Sequence, residues 1–155
     1  RNQNYTGTNW PLLRYADVLL MFAEADNYTN SGPSANAYKA VNMVRRRGYG
    51  KDVLVPDVAA DAAANLSQQD FLDLIRNERL RELAFEGIRK HDLVRWGIYP
   101  SVMQTQAREY QTNMPTALRD AAVAQAQRVT DRAVLFPIPN SELAVNPNIK
   151  QNTGW

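Results

Sequence analysis

Apolar positions recur at helical spacing along most of the chain, in runs separated by short clusters of Gly, Pro, Asn and Ser. The segment from Pro11 to about Tyr28 predicts a first helix, with a proline in its first turn, few breakers and apolar residues on most sides, which implies extensive burial. Its polar members Asp17 and Glu24 lie seven apart on one face, and Arg14, three residues before Asp17, is spaced to pair along that side. Asn30, Ser31, Gly32 and Pro33 break the pattern. Ser34 is then placed to cap a second helix from about Ala35 to Arg47, stopped by Gly48. Two helices joined by so short a turn make a hairpin. Ala25 and Ala37, on either side of it, match the small-residue spacing of a tetratricopeptide unit, where close helix packing needs a small side chain.

Periodicity is lost from Gly50 to Leu66, a loop with room for a short helix at most. Ser67, followed three residues later by Asp70, has the form of a capping box and predicts a long helix from about Gln68 to Phe85, ended by Gly87. A further helix is expected from His91 or Asp92 to Trp96 and Gly97, and two more between Pro100 and Val129, divided at Pro115. Beyond Thr130, Pro137, Pro139 and Pro147 are too closely spaced for a long helix or a central strand, so the tail is expected to be extended and packed on the helices. The fold class is all-α: a tetratricopeptide-like hairpin, further helices and an extended, proline-rich C-terminal tail, read as one domain over residues 1–155.

Composition narrows the chemistry. With 45% hydrophobic residues and a net charge of +2, the 155-residue chain has the make-up of a globular protein. It has no cysteine and a single histidine, His91, which removes thiol chemistry, disulfides, Cys-rich zinc sites and multi-histidine metal centres. No metal or cofactor is expected. The longest apolar run, Val18 to Ala23, is far short of the roughly 20 residues that span a bilayer. The opening Arg1-Asn2-Gln3-Asn4 lacks the form of a secretory leader, so either a leader has been removed or the chain is a piece of a longer one. Eighteen basic residues face 16 acidic ones, interleaved along the chain, which argues against a nucleic-acid surface. Fourteen of the 18 are arginine, a bias suited to planar, partly buried pairing with carboxylates.

Glu78, Glu82 and Glu86 recur every four residues, as an acid cluster would, but Arg81, Arg79 and Arg89 each stand three residues from one of them. That interleaving reads as a ladder of ion pairs locking neighbouring helices, not as catalytic carboxylates. Asp17 and Glu24 are two helical turns, about 10 Å, apart, beyond the separation of glycosidase acid pairs. Arg45, Arg46 and Arg47 close the second helix, where cations oppose its dipole. His91 beside Asp92 has the residue types of an oriented base, but adjacent helical residues do not face each other. Trp10, Trp96, Trp155 and seven tyrosines supply flat surfaces that fit either a core or a sugar ring.

Taken together, the segments resemble the C-terminal part of the SusD/RagB family of outer-membrane nutrient-binding lipoproteins. The matching blocks are Leu13-Arg14-Tyr15-Ala16-Asp17-Val18-Leu19-Leu20 with Ala23-Glu24-Ala25, and Asn42-x-Val44-Arg45-x-Arg47-Gly48. They continue with Glu78-Arg79-x-x-Glu82-Leu83-Ala84-Phe85-Glu86-Gly87-x-Arg89 and Asp92-Leu93-x-Arg95-Trp96-Gly97, then Phe136-Pro137-Ile138-Pro139, Asn146-Pro147 and a closing Gly154-Trp155. The resemblance implies a non-catalytic scaffold that captures oligosaccharides for a SusC-type TonB-dependent transporter. It also implies a place at the cell surface on the outer membrane, held by an N-terminal lipid anchor that these residues do not include, and hence a C-terminal fragment of a longer chain. The quoted motifs carry no glycan contacts; Tyr49, Tyr99 and Tyr110, near loops or helix ends, are the candidates. The alternative is a helical scaffold for a protein or peptide ligand, suggested by the hairpin alone.

Overall fold

The computed structural model describes residues 11–155; Trp10 lies outside them. The elements are α1 (Tyr15–Thr29), α2 (Ala35–Gly48), α3 (Gln68–Glu82), α4 (Arg89–Arg95), α5 (Tyr99–Asn113), α6 (Thr116–Gln127), a 3-10 turn (Asp131–Val134) and α7 (Asn140–Val145), with no strand among the described residues. They form two compact units, one ending at Gly87 and the other Ile88–Trp155.

In the first unit α1 and α2 make the expected hairpin, and α3 packs against both. Leu20, Val41, Phe71 and Ile75 are fully buried at their junction. Phe71 meets Tyr38 edge-on at 4.9 Å between ring centres, and the Tyr38 hydroxyl accepts the Leu66 N–H at 2.8 Å, tying the loop before α3 to the core. The alanine spacing needs correction. Ala37 is fully buried, but Ala25 faces outward and Ala23 makes the close approach, because Leu20, Ala23 and Asn27 form the i, i+3, i+7 stripe that α1 turns inward.

Both serine caps are in place. Ser34 Oγ accepts the N–H groups of Asn36 and Ala37, and Asp26 holds the serine by accepting its N–H and its hydroxyl at 3.0 and 2.8 Å. Ser34→Ala should cost about 1 kcal/mol, read as a lower urea midpoint with unchanged slope. Ser67 Oγ accepts the Asp70 N–H at 3.1 Å and donates to the Asp70 carboxylate at 2.6 Å.

Two helix ends differ from expectation. α1 starts at Tyr15, four residues after Pro11, because Arg14 is extended and serves as the cap position, its carbonyl accepting from Asp17 and Val18. α3 stops at Glu82, short of Phe85. The Glu82 carbonyl takes a hydrogen bond from Arg14 Nη2 at 2.8 Å, while the Glu86 N–H, its next helical donor, turns to the Leu83 carbonyl. Phe85 and Gly87 then adopt φ of +66° and +77°, which ends any helical continuation.

Residues 49–66 contain turns and no helix. Arg46 clamps this loop: Nε and Nη2 each lie 2.5 Å from the Asp61 carboxylate, and Nη1 donates to the Val53 carbonyl. The hydrogen bond from Arg46 holds the Asp61 carboxyl below its ordinary value of 3.8. A depressed carboxylate stabilises the fold above its unfolded pKa, and that share is lost as pH falls through the folded one. Stability should therefore fall with acidification below about pH 4, and Asp61→Asn should flatten that fall in thermal melts taken from pH 7 to pH 3.

In the second unit α5 and α6 are divided at Pro115 as the sequence predicts, with Ala107, Val123 and Ala126 buried, and α4 begins at Arg89, two residues earlier than expected. The chain beyond Thr130 alternates irregular stretches with the 3-10 turn and α7. Side chains hold it together: Gln151 accepts from the Ile138 N–H and donates to its carbonyl, and Trp155 Nε1 donates to the Arg132 carbonyl at 2.9 Å. Gly154, at φ +87°, is needed there, since a Cβ would sit 2.8 Å from that of Arg132.

Candidate functional site

A surface for a soluble, hydroxyl-rich ligand needs a flat apolar face beside groups that exchange hydrogen bonds. Of the three candidate tyrosines, Tyr49 belongs to the first unit and Tyr99 and Tyr110 both lie on α5 of the second. Tyr49 is exposed just past α2, with the Arg45 guanidinium 5.9 Å from its ring. One face of Tyr99 is taken by the Lys90 ammonium, 5.6 Å from the ring centre and 4.0 Å from that of Phe136.

Tyr110 is different. It lines a shallow hollow of about 320 Å³ with Gln106, Glu109, Asn113 and Met114. Residues 106, 109, 110 and 113 follow the i, i+3, i+4, i+7 spacing that puts them on one helical face. Asn113 Nδ2 donates to Glu109 Oε2 at 3.0 Å, which orients both side chains. The result is a half-buried ring flanked by two amides and a carboxylate. Gln106, Glu109 and Asn113 belong to no motif in the sequence, and only their helical spacing around Tyr110 marks them.

The motif residues have another role. Glu82 pairs with Arg14 Nη1 at 2.9 Å and with Arg47, and Glu86 pairs with Arg14 Nη2 at 2.7 Å. Glu78 takes Arg45 at 3.0 Å and Arg81 at 3.6 Å. Arg81 pairs with Glu78 within α3, while Glu82 and Glu86 are bridged from α2 and from the start of α1, so the ladder ties neighbouring helices together. Hydrogen bonding to Glu86, the larger influence, and to Glu82 raises the Arg14 guanidinium above its ordinary pKa despite desolvation.

Asp17 is likewise not met by Arg14. Its carboxylate accepts from Arg79 Nη1 at 2.7 Å, both groups buried, and Glu24 is buried two turns further along the same face of α1. In the second unit Arg95 Nε contacts the buried Asp92 at 2.9 Å, and the guanidinium groups of Arg89 and Arg95 lie 5.6 and 4.6 Å from the Trp96 ring. His91 is exposed. Among the described residues no three His, Cys, Asp or Glu converge on a metal position, and no helix is long and apolar enough to cross a membrane.

This arrangement, arginines of a helical hairpin locked onto the glutamates of a third helix, can be compared with known proteins. The family model of the SusD family matches residues 1–155. The chain belongs to the SusD family. SusD-like protein P25 of Formosa agariphila is 38% identical over 136 residues, covering 88% of this chain and 22% of that protein. SusD-like protein P2 of the same organism is 33% identical over 152 residues, 97% of this chain and 26% of the relative. The crystal structure of a SusD homologue from Bacteroides thetaiotaomicron superposes with a TM-score of 0.83 at 39% identity, over 99% of this chain and 30% of that one. The chain thus spans about a quarter of the length of the curated SusD-like relatives it matches. The all-helical fold expected of a SusD-type chain is the one observed.

Proposed function

We propose that the protein is a non-catalytic, oligosaccharide-binding component of an outer-membrane nutrient-uptake complex, acting with a SusC-type TonB-dependent transporter from a lipid-anchored position at the cell surface. The observation that carries this reading is the match to the SusD family over all 155 residues, a family of nutrient-binding outer-membrane proteins. Within this chain the proposed ligand surface is the Tyr110 hollow. A pyranose stacks its apolar C–H face on the Tyr110 ring, while Gln106, Asn113 and the free oxygen of Glu109 exchange hydrogen bonds with its hydroxyls. Tyr49 and Tyr99 are secondary candidates, one beside the Arg45 guanidinium and the other already covered by Lys90. The ion-paired glutamates serve as scaffold in this reading, because arginine N–H groups occupy the oxygens that an acid-base pair would need free.

The test is affinity electrophoresis of the full-length protein through gels containing neutral and acidic polysaccharides. The wild type should be retarded by at least one polysaccharide, Tyr110→Ala should weaken that retardation roughly tenfold in apparent affinity, as loss of about 1.4 kcal/mol at a stacked ring would, and Glu82→Gln should leave it unchanged. A transporter should also co-purify with the full-length protein from outer membranes. No retardation across a broad panel, with a peptide or soluble protein retained in its place, would sink the glycan reading in favour of a protein-binding scaffold.

A further inference from the structure

The hollow at the end of α5 carries a charge that its own lining does not neutralise. Gln106, Glu109, Tyr110, Asn113 and Met114 line it, and none of them is basic. Among the described residues the partner of the Glu109 carboxylate is the neutral amide of Asn113, which donates to Oε2 at 3.0 Å and leaves Oε1 open to a ligand. The cations nearest in the chain are engaged elsewhere. Arg108 stands on the opposite side of α5 from residues 106, 110 and 113 by helical phase and donates to Thr105 Oγ1 at 3.0 Å. Arg119, early in α6, has its Nε 3.0 Å from Asp120 Oδ1. The helix ends do not supply the missing charge either. α5 has no basic residue in its last turn and α6 no acidic one in its first, and at the Met114-Pro115 corner the negative end of one helix meets the positive end of the other, so their partial charges offset. A ligand in the hollow meets the full charge of Glu109.

That charge acts on a sugar stacked against Tyr110 in two ways. An ionised carboxylate only accepts hydrogen bonds, so the open oxygen of Glu109 needs a donor, which a hydroxyl supplies and an ionised uronate or sulfate does not. A second anion held about 6 Å away is also repelled, by a factor of roughly three to ten in affinity where water reaches both charges. Gln106 and Asn113 set no such preference, because a side-chain amide both donates and accepts.

Given the ligand role proposed for this hollow, we infer that it selects uncharged pyranoses, with Glu109 as the residue that turns away sugars bearing a carboxylate or a sulfate. Tyr110 supplies the stacking face and Glu109 the discrimination, so the two contributions separate by mutation. Glu109 is exposed, and glutamine at its position keeps an acceptor for Asn113, so Glu109→Gln removes the charge and little else.

Methionine-methyl NMR of the full-length protein tests this, since Met114 lines the hollow and its methyl group reports occupancy there whatever binds elsewhere on the molecule. Met114→Leu identifies the signal. Two matched pairs of probes are titrated at low salt, methyl glucoside against methyl glucuronide and methyl galactoside against methyl galacturonide, the members of each pair differing only in a hydroxymethyl group or a carboxylate on the ring. The neutral member of at least one pair should shift the Met114 signal at a roughly three- to tenfold lower concentration than its uronate. Glu109→Gln should bring that ratio within about twofold, and about 1 M salt, which screens charges beyond ~3 Å, should narrow it. Tyr110→Ala should remove the response to both members. A uronate that binds as well as its neutral partner in the wild type, or a preference that persists in Glu109→Gln, would overturn the selection and leave the sugar site standing. If none of the four probes moves the Met114 signal, the hollow takes no pyranose, and the ligand role of Tyr110 falls together with the selectivity of Glu109.

Discussion

Arg79→Met should destabilise the first unit by about 3–5 kcal/mol, the cost of leaving a buried carboxylate without its counter-charge. The Asp17 oxygen that accepts from Arg79 Nη1 at 2.7 Å is enclosed between α1 and α3, and Arg79 itself is among the most buried charged groups of the chain. Neither ion is near enough to water to be rehydrated without parting the helices. Urea unfolding of the full-length protein, followed by circular dichroism, should show the first-unit transition shifted strongly to lower denaturant. The double variant Asp17→Leu with Arg79→Met should recover much of the loss, because an apolar pair of similar volume avoids the desolvation that the ions incur. A single variant as stable as the wild type would mean that the pair is solvated in solution and does not lock α1 to α3.

Phe71→Ala should cost about 3–5 kcal/mol as well, by a different route. The ring is fully buried among Leu20, Val41 and Ile75 and packs edge-on against Tyr38, so truncation removes its transfer energy and leaves a cavity that three helices cannot easily close. The effect should extend outward: with the Tyr38 ring no longer braced, its hydroxyl holds the Leu66 N–H less firmly and the loop before α3 loosens. Tyr38→Phe isolates that second part, since it keeps the ring and deletes only the hydrogen bond, and should cost about 1 kcal/mol. Hydrogen exchange of the Leu66 amide distinguishes the two: it should accelerate in both variants, while exchange from the α3 core should accelerate only in Phe71→Ala.

These two sites differ in how visible they were beforehand. Phe71 opens the apolar stripe that follows the Ser67 cap, and helical phase places it on one face with Ile75. The pairing of Arg79 was not visible. Spacing suggests Glu82 as its partner, three residues along the same helix, and the observed partner is Asp17, 62 positions away. The same holds for Arg14, which sits one turn before Asp17 yet reaches Glu82 and Glu86. Long arginine side chains near a helix junction have several carboxylates within reach, and the choice among them depends on helix crossing and on which cap is extended.

The proposed ligand surface shows the same division. Tyr110 could be marked from its place near a helix end, and the polar residues at 106, 109 and 113 are placed beside it by helical spacing. That Tyr99, on the same helix, has a face covered by Lys90 required the packing of α4 and Phe136 against it.

Local chemistry determined the helices themselves: the hairpin from its break at Ser31-Gly32-Pro33, the Ser34 and Ser67 caps, the division of α5 from α6 at Pro115, and family membership from the ordered motifs. These depend on interactions within a few residues, which sequence spacing encodes directly. Tertiary structure alone decided the end of α3, where Arg14 captures the Glu82 carbonyl, the choice of Ala23 over Ala25 as the close contact, and the exposure of Tyr15, Met21 and Phe22 on the outer side of α1. A residue's helical phase says which neighbours share its face, but which face meets another helix is set by the summed packing of segments far apart in the chain.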